Sequence, residues 1–187
     1  MTKKTSRSVH LVFIDECGFM LMPVVTRTWA PRGQTPIMRV ADPHGRISTI
    51  GAITISPVRT IFRFYYWLLP NNVNFNGNSI VTFVESLRCR IRQPFIILWD
   101  QIPIHQAHSM ERYLTQHKDV MVALFPPYAP ELNPVDYVWA YVKHSRLANF
   151  CPYNLEQLRM KVTSELSLVM TRPDLLKSFF AATKLEL

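Results

Sequence analysis

Residues 95–100 read Phe95-Ile96-Ile97-Leu98-Trp99-Asp100, a β-rich apolar run that ends on a carboxylate. Near-continuous hydrophobicity over so short a stretch signals a strand covered on both faces, as in a sheet with helices above and below. An ionised acid directly after such a run is costly unless it is paired or bound to a metal. Working outward, residues 9–14 form a similar run that closes on Asp15, and residues 120–125 (VMVALF) form a third. Residues 46–56 (RISTIGAITIS) alternate in part, Pro57 and Val58 mark a turn, and residues 59–69 (RTIFRFYYWLL) read as the partner of a hairpin.

Helices fill the gaps. Ile80, Phe83, Val84 and Leu87 recur at helical spacing, which predicts a helix from Gly77 or Asn78 to about Arg92, stopped by Pro94. Residues 107–117 read as a second helix. After the rigid loop of Pro126, Pro127 and Pro130, Asn133 caps a third, with Pro134 at the first helical position, where its missing N–H costs nothing. That helix carries Asp136, Trp139 and Lys143. One or two helices follow, broken near Pro152 and Pro173. Residues 23–45, rich in proline and glycine, read as loop or irregular hairpin. The order predicts an α/β fold, a mixed five-stranded sheet flanked by helices. Residues 1–8 are a basic lead-in, 9–150 the core, and 151–187 a helical extension of the same domain.

The totals bound the function. A chain of 187 residues fits one domain that buries its own core. Hydrophobic residues at 48% against 18% charged exclude disorder. The net charge of +8 suits a polyanionic partner such as nucleic acid. Cys17, Cys89 and Cys151 are odd in number and form no CxxC pair, so a disulfide framework or zinc site is not expected and a reducing cytosol fits. His105 and His108 lie one helical turn apart without a cysteine or carboxylate to complete a zinc set. No stretch approaches the ~18 apolar residues of a membrane span, and the N-terminus lacks a signal-peptide pattern.

Asp15 and Asp100 both close buried strands. If those strands are parallel neighbours, the two acids lie side by side at the sheet end, where ligands tend to sit. A helix crossing that end brings Asp136 to the same point. Three acids together repel one another, and Mg²⁺ resolves this because it takes oxygen ligands and keeps waters for substrate phosphate. Two such ions suit phosphodiester transfer. Each acid also has an ordinary reading alone: Asp15 as a turn residue, Asp100 as the partner of an arginine, Asp136 as a first-turn carboxylate complementing the helix dipole.

The segments FIDECGF (13–19), RTWAPRGQTP (27–36), LWDQIPIHQA (98–107) and FPPYAPELNPVDYVWAYVK (125–143) resemble the DDE/D transposases of the mariner superfamily, most closely the bacterial insertion-sequence branch known as IS six-thirty. The last segment is the most specific: a proline-rich loop, then ELNP, then an acid and a tryptophan on one helix. The resemblance implies an RNase H-like fold of the retroviral integrase type. It implies metal-dependent DNA cleavage and strand transfer with Mg²⁺ or Mn²⁺, as two ions, at Asp15, Asp100 and Asp136. It also implies double-stranded DNA partners (transposon ends and target, with a preference for TA), a homodimer to join two ends, and a location in the bacterial cytoplasm at the nucleoid.

Two departures stand out. The third acid is often Glu in that branch and is Asp here, and Gln101 replaces the Asn that often follows the second Asp. The catalytic pattern also begins by Val9, which leaves no room for the helix-turn-helix units of full transposases. A split reading frame, a truncated copy or a frameshifted fusion would account for that, with an upstream helix-turn-helix polypeptide as partner.

Other residues are weighed individually. Glu131 is the rival third acid. Glu16 points to the opposite face of its strand from Asp15, so the two are not expected to share a site. His105, at the start of the second helix, is a candidate for contact with a scissile phosphate or a metal-bound water. Arg27, Arg32, Arg46, Lys143 and Arg146 are candidate DNA contacts, each also explicable as solvated charge. Trp29 and Trp139 read as core, with Trp139 packing its helix to the sheet and setting the position of Asp136. The rival functions are an RNase H-like nuclease that only hydrolyses, and an inactive or accessory DNA-binding fragment of a split transposase.

Overall fold

The computed structural model describes residues 9–40, 44–127, 129–183 and 185. The basic lead-in at 1–8 and Pro43 of the long loop lie outside them. Five strands form one sheet in the order β3-β2-β1-β4-β5. They are β1 (His10–Met20), β2 (Arg46–Ile55), β3 (Phe62–Leu68), β4 (Phe95–Trp99) and β5 (Val120–Leu124). β1 to β3 are antiparallel neighbours, whereas β1, β4 and β5 run parallel. The hairpin, the two strand–helix–strand units and the mixed sheet follow the sequence reading.

Side-chain alternation builds two cores. Phe13, Ile53, Ile55 and Phe64 face one side, covered by helices α3 (Pro134–Tyr141), α4 (Leu155–Met170) and α5 (Pro173–Ala182). Val12, Ile14, Ile50, Phe95 and Ile97 face the other, covered by α1 (Gly77–Ile91) and α2 (His108–Gln116). α1 starts where expected because Asn76 and Ser79 satisfy each other's backbone N–H groups in a capping box. It ends at Arg92, in the left-handed region at φ 54°. The C-terminal stretch is two helices, and Leu158, Val162 and Leu176 bury into the first core.

β1 departs from expectation. The sequence reading ends it at Asp15, yet it continues to Met20. β2 is the reason: it pairs with β1 over the whole length from Leu11↔Ile55 to Met20↔Arg46. The parallel ladder to β4 is shorter and ends at Phe13↔Leu98. Asp15 therefore sits within a strand, just past the point where β1 and β4 part.

The described residues between Leu21 and β2 are irregular, as expected. The base of this loop is held by Asn149, whose Oδ1 accepts from the backbone N–H of Thr26 at 2.9 Å. Trp29, expected in the core, is instead 100% exposed, within a stretch whose residues 27–37 are all exposed. After α3 the chain widens into a π-helical turn, Val142–Arg146. Arg146 there is fixed by Glu165, a buried α4 carboxylate, at 2.7 Å. Lys161 reaches the same carboxylate at 2.6 Å.

Candidate functional site

Asp15, Asp100 and Asp136 come from β1, the end of β4 and the first turn of α3, and all three line one open cleft of about 570 Å³. Its far wall is the proline-rich loop of Pro126, Pro127 and Pro130. Glu131, the rival third acid, is exposed on the turn before α3 and does not line the cleft.

Asn133 fixes the approach of α3. Its Oδ1 caps the helix by accepting from Val135 N–H at 3.1 Å. Its Nδ2 donates to the backbone oxygen of Ile14 at 3.0 Å, on the residue before Asp15. One buried amide thus joins the helix N-terminus to the strand where its parallel partner has ended. Sequence reasoning identified the cap and missed this second bond, since nothing local marks a contact spanning 119 residues.

Asp15 receives one side-chain hydrogen bond from a neutral donor, Trp139 Nε1–H to Oδ2 at 2.7 Å. Room for the indole comes from Gly51, the residue paired with Asp15 on β2. A Cβ at Gly51 would lie 2.7 Å from the ring. Trp139 packs helix to sheet as expected, but the acid it holds is Asp15. Neither Asp15 nor Asp136 has a salt bridge to a cation among the described residues. Burial, then the charges of Asp136 and Glu16, push the Asp15 carboxyl well above the usual carboxylate range. Burial and the charge of Asp100 push Asp136 up to about 6, a rise limited by a hydrogen bond with Asp15 and by the charge of Lys143.

Asp100 is half-exposed to the cleft, and its Oδ1 accepts from Ile102 N–H at 3.3 Å. His105 is not at the start of α2, which begins at His108. It lies in the turn before α2, its side chain 1% exposed. Its ring stacks on Trp99 with centroids 4.2 Å apart and planes within 3°. Nδ1 faces Asp100 Oδ1 at 2.9 Å and Nε2 faces Glu16 Oε1 at 3.0 Å. Direct phosphate contact by His105 is closed off, because the ring is buried and both nitrogens are taken. Burial disfavours its charge, but Glu16 and Asp100 outweigh that and hold its pKa above the usual histidine value.

The cationic candidates divide by position. Arg27 and Arg32 are exposed on the long loop. Arg46 hydrogen-bonds Asn74 and packs against Gly18. Lys143 is close enough to influence Asp136, and its ammonium lies 5.7 Å from the centre of the Phe19 ring. Arg146 is engaged by Glu165, as described above.

The donor set fits hard divalent cations: three carboxylates from three elements, two of them raised in pKa, facing open space. Among the described residues no three acidic, histidine or cysteine side chains close into a ready-made cage. An open site of this kind leaves coordination positions for water and phosphate. Without divalent cations, the raised pKa values should cost stability at neutral pH. For Asp136 the stabilising contribution is fully present below its unfolded value of 3.8 and is lost as pH rises through about 6. Asp15 extends the loss to higher pH. Glu165 and Asp119 are lowered and act in the opposite sense, being lost as pH falls. The wild-type melting temperature minus that of Asp136→Asn, measured in chelator, cancels those terms and should fall steadily between pH 4.5 and 7. A flat difference would show that the acids do not strain one another.

A mixed five-stranded sheet carrying three acids at one cleft defines an RNase H-like domain with a candidate phosphodiester-processing site. Residues 10–159 match the family model described as DDE superfamily endonuclease, and the chain belongs to that family. The fold is similar to a Mos1 transposase paired-end complex with left transposon end (TM-score 0.58, 19% identity, covering 97% of this chain and 56% of that one). It is also similar to a mariner Mos1 paired-end complex with Mg (TM-score 0.61, 18% identity, 95% and 56% covered). The catalytic domain of Mos1 mariner transposase gives a TM-score of 0.55 at 16% identity, with 99% and 86% covered. The chain thus spans 56% of the length of the Mos1 chains in those two DNA complexes. No curated protein matches the chain. Among the described residues no helix is long and apolar enough to cross a membrane.

Proposed function

We propose that this domain is the catalytic core of a DNA transposase of the mariner superfamily, in its bacterial IS six-thirty branch, and that it cuts and joins insertion-sequence DNA. The observation that carries this is the convergence of Asp15, Asp100 and Asp136, from separate elements, on one cleft. In this reading the three acids hold two Mg²⁺ or Mn²⁺ ions, which supply Lewis-acid activation of the attacking oxygen and stabilise the leaving oxygen. The residues position that chemistry. Asn133 and Trp139 lock α3 against β1, so the spacing between Asp15 and Asp136 is fixed before DNA arrives. The proline-rich loop forms a stiff wall on the far side of the cleft. Arg27, Arg32, Arg46 and Lys143 are the candidate phosphate contacts, and the net charge of +8 favours DNA as partner.

Residues 9–150 form the core in this reading and 151–187 its extension. The active unit is a homodimer acting at the nucleoid in the cytoplasm, joined by an upstream helix-turn-helix polypeptide. Solved complexes of Mos1 with transposon ends and with Mg support DNA and metal as partners here.

The test is an assay with Mg²⁺ or Mn²⁺ on DNA bearing the element's inverted repeats, with and without the upstream polypeptide. Metal-dependent 3′-hydroxyl ends that join to target DNA are expected. Cut ends that never join would replace the transposase by a hydrolytic nuclease. Folded protein that neither binds metal nor cuts under any condition would sink the enzymatic reading.

A further inference from the structure

Glu16 and Asp15 are adjacent on β1 and point to opposite faces of the sheet, yet both are tied to the same cleft. The link is His105, whose Nε2 lies 3.0 Å from Glu16 Oε1 and whose Nδ1 lies 2.9 Å from Asp100 Oδ1 and 3.1 Å from the Asp100 backbone oxygen. The ring is clamped flat on Trp99, a fully buried β4 residue, so its nitrogens have little freedom to aim elsewhere. Glu16 has no other side-chain hydrogen bond among the described residues, and its Oε2 is buried without a partner. Burying a carboxylate for a single bond is expensive. A role confined to satisfying the fold does not explain it, since an apolar residue would serve packing better.

The consequence falls on Asp100. Its Oδ1 is engaged by His105 and by the backbone N–H of Ile102. That leaves Oδ2 as the oxygen free for a ligand. Resting on the reading of Asp100 as a metal ligand, we propose that Glu16 and His105 are a positioning pair that locks the Asp100 carboxylate and reserves Oδ2 for the metal. Glu16 fixes the ring, the ring fixes Oδ1, and the pair reaches the site from the sheet face opposite Asp15. Partners one shell beyond a ligand characteristically hold its orientation in this way.

Mn²⁺ binding to the full chain, measured by calorimetry without DNA, tests this. Glu16→Ala and His105→Phe, the latter keeping a ring to stack on Trp99, should weaken Mn²⁺ by about 10–100-fold. Glu16→Gln retains an acceptor for the ring N–H and should stay within about 3-fold of wild type, a rescue expected for hydrogen-bond positioning. Asp100→Ala serves as the reference for loss of the ligand itself. Folded Glu16→Ala and His105→Phe proteins with wild-type affinity, beside a weakened Asp100→Ala, would overturn the pair and leave the metal reading intact. Glu16→Gln as weak as Glu16→Ala would overturn the hydrogen-bond account. Failure of wild type to bind Mn²⁺ any better than Asp100→Ala would remove the metal reading and the pair with it.

Discussion

Replacing Asp15, Asp100 or Asp136 by asparagine should lower metal-dependent DNA cleavage by at least ~10³-fold, since a metal ion's charge stabilisation is worth several kcal/mol and each 1.36 kcal/mol is tenfold. The same changes should leave the metal-free protein folded, and at Asp15 and Asp136 more stable. Asp15 is buried among like charges with an indole N–H and no cation paired to it among the described residues, and Asp136 carries the charge of Asp100 beside it. Asparagine keeps an oxygen to accept from Trp139 and removes the ionisation that burial opposes. At pH 7 in chelator, Asp15→Asn and Asp136→Asn should melt a few degrees above wild type, at about 2–4 °C per kcal/mol for a domain this size. Mn²⁺ should raise the wild-type melting temperature and leave the variants nearly unmoved. Opposite signs in activity and stability identify a site kept for chemistry. An Asn variant that loses activity and stability together would instead place these acids among the fold's supports.

The second large effect is expected at Trp139. The indole is buried in the first core, edge-on to Phe19 and Phe64 with ring centroids 6.1 Å away in each case. Truncation to alanine should cost about 3–5 kcal/mol in urea unfolding, from lost burial and the cavity left behind. Trp139→Phe separates packing from positioning. It retains most of the ring and deletes the N–H held 2.7 Å from Asp15 Oδ2. Because that bond lowers the Asp15 pKa, its loss should raise it further and weaken Mn²⁺ binding most at the acidic end of the range. Gly51→Ala should produce a similar defect from the other side, since its new Cβ would meet the indole at 2.7–2.8 Å and push it off the acid. Wild-type Mn²⁺ affinity and cleavage in both Trp139→Phe and Gly51→Ala would mean that Asp15 needs no such support.

How far these features were legible in the chain depends on their range. The short β-rich apolar runs at 95–99 and 120–124 specify strands, but only the first is buried as read: β5 lies at the sheet edge, where Met121 and Leu124 are exposed, because edge or centre is decided by strand order and not by composition. The Asn133–Pro134 pair specifies a helix start through its own backbone chemistry. Asp15 and Asp100 stand out locally as acids that follow apolar runs, whereas Asp136 is marked by its place in the first turn of the Asn133–Pro134 helix and by the family motif around it. Polar residues within a strand are less readable. Glu16 to Met20 carry no clean alternation, and β1 continues through them only because β2 supplies a ladder along its whole length.

The long-range ties were not readable at all. The sequence by itself determined most of the elements and their order, because periodicity, breakers and caps act within a few residues, and it offered the three acids as candidates. Tertiary structure alone decided that Glu16 meets His105 across 89 positions, that Trp139 donates to Asp15 across 124, and that Arg146 is engaged by Glu165. Hydrogen bonds of that kind depend on where strands part and which side of the sheet each residue faces, and those are set by pairing register and packing, not by neighbours in the chain.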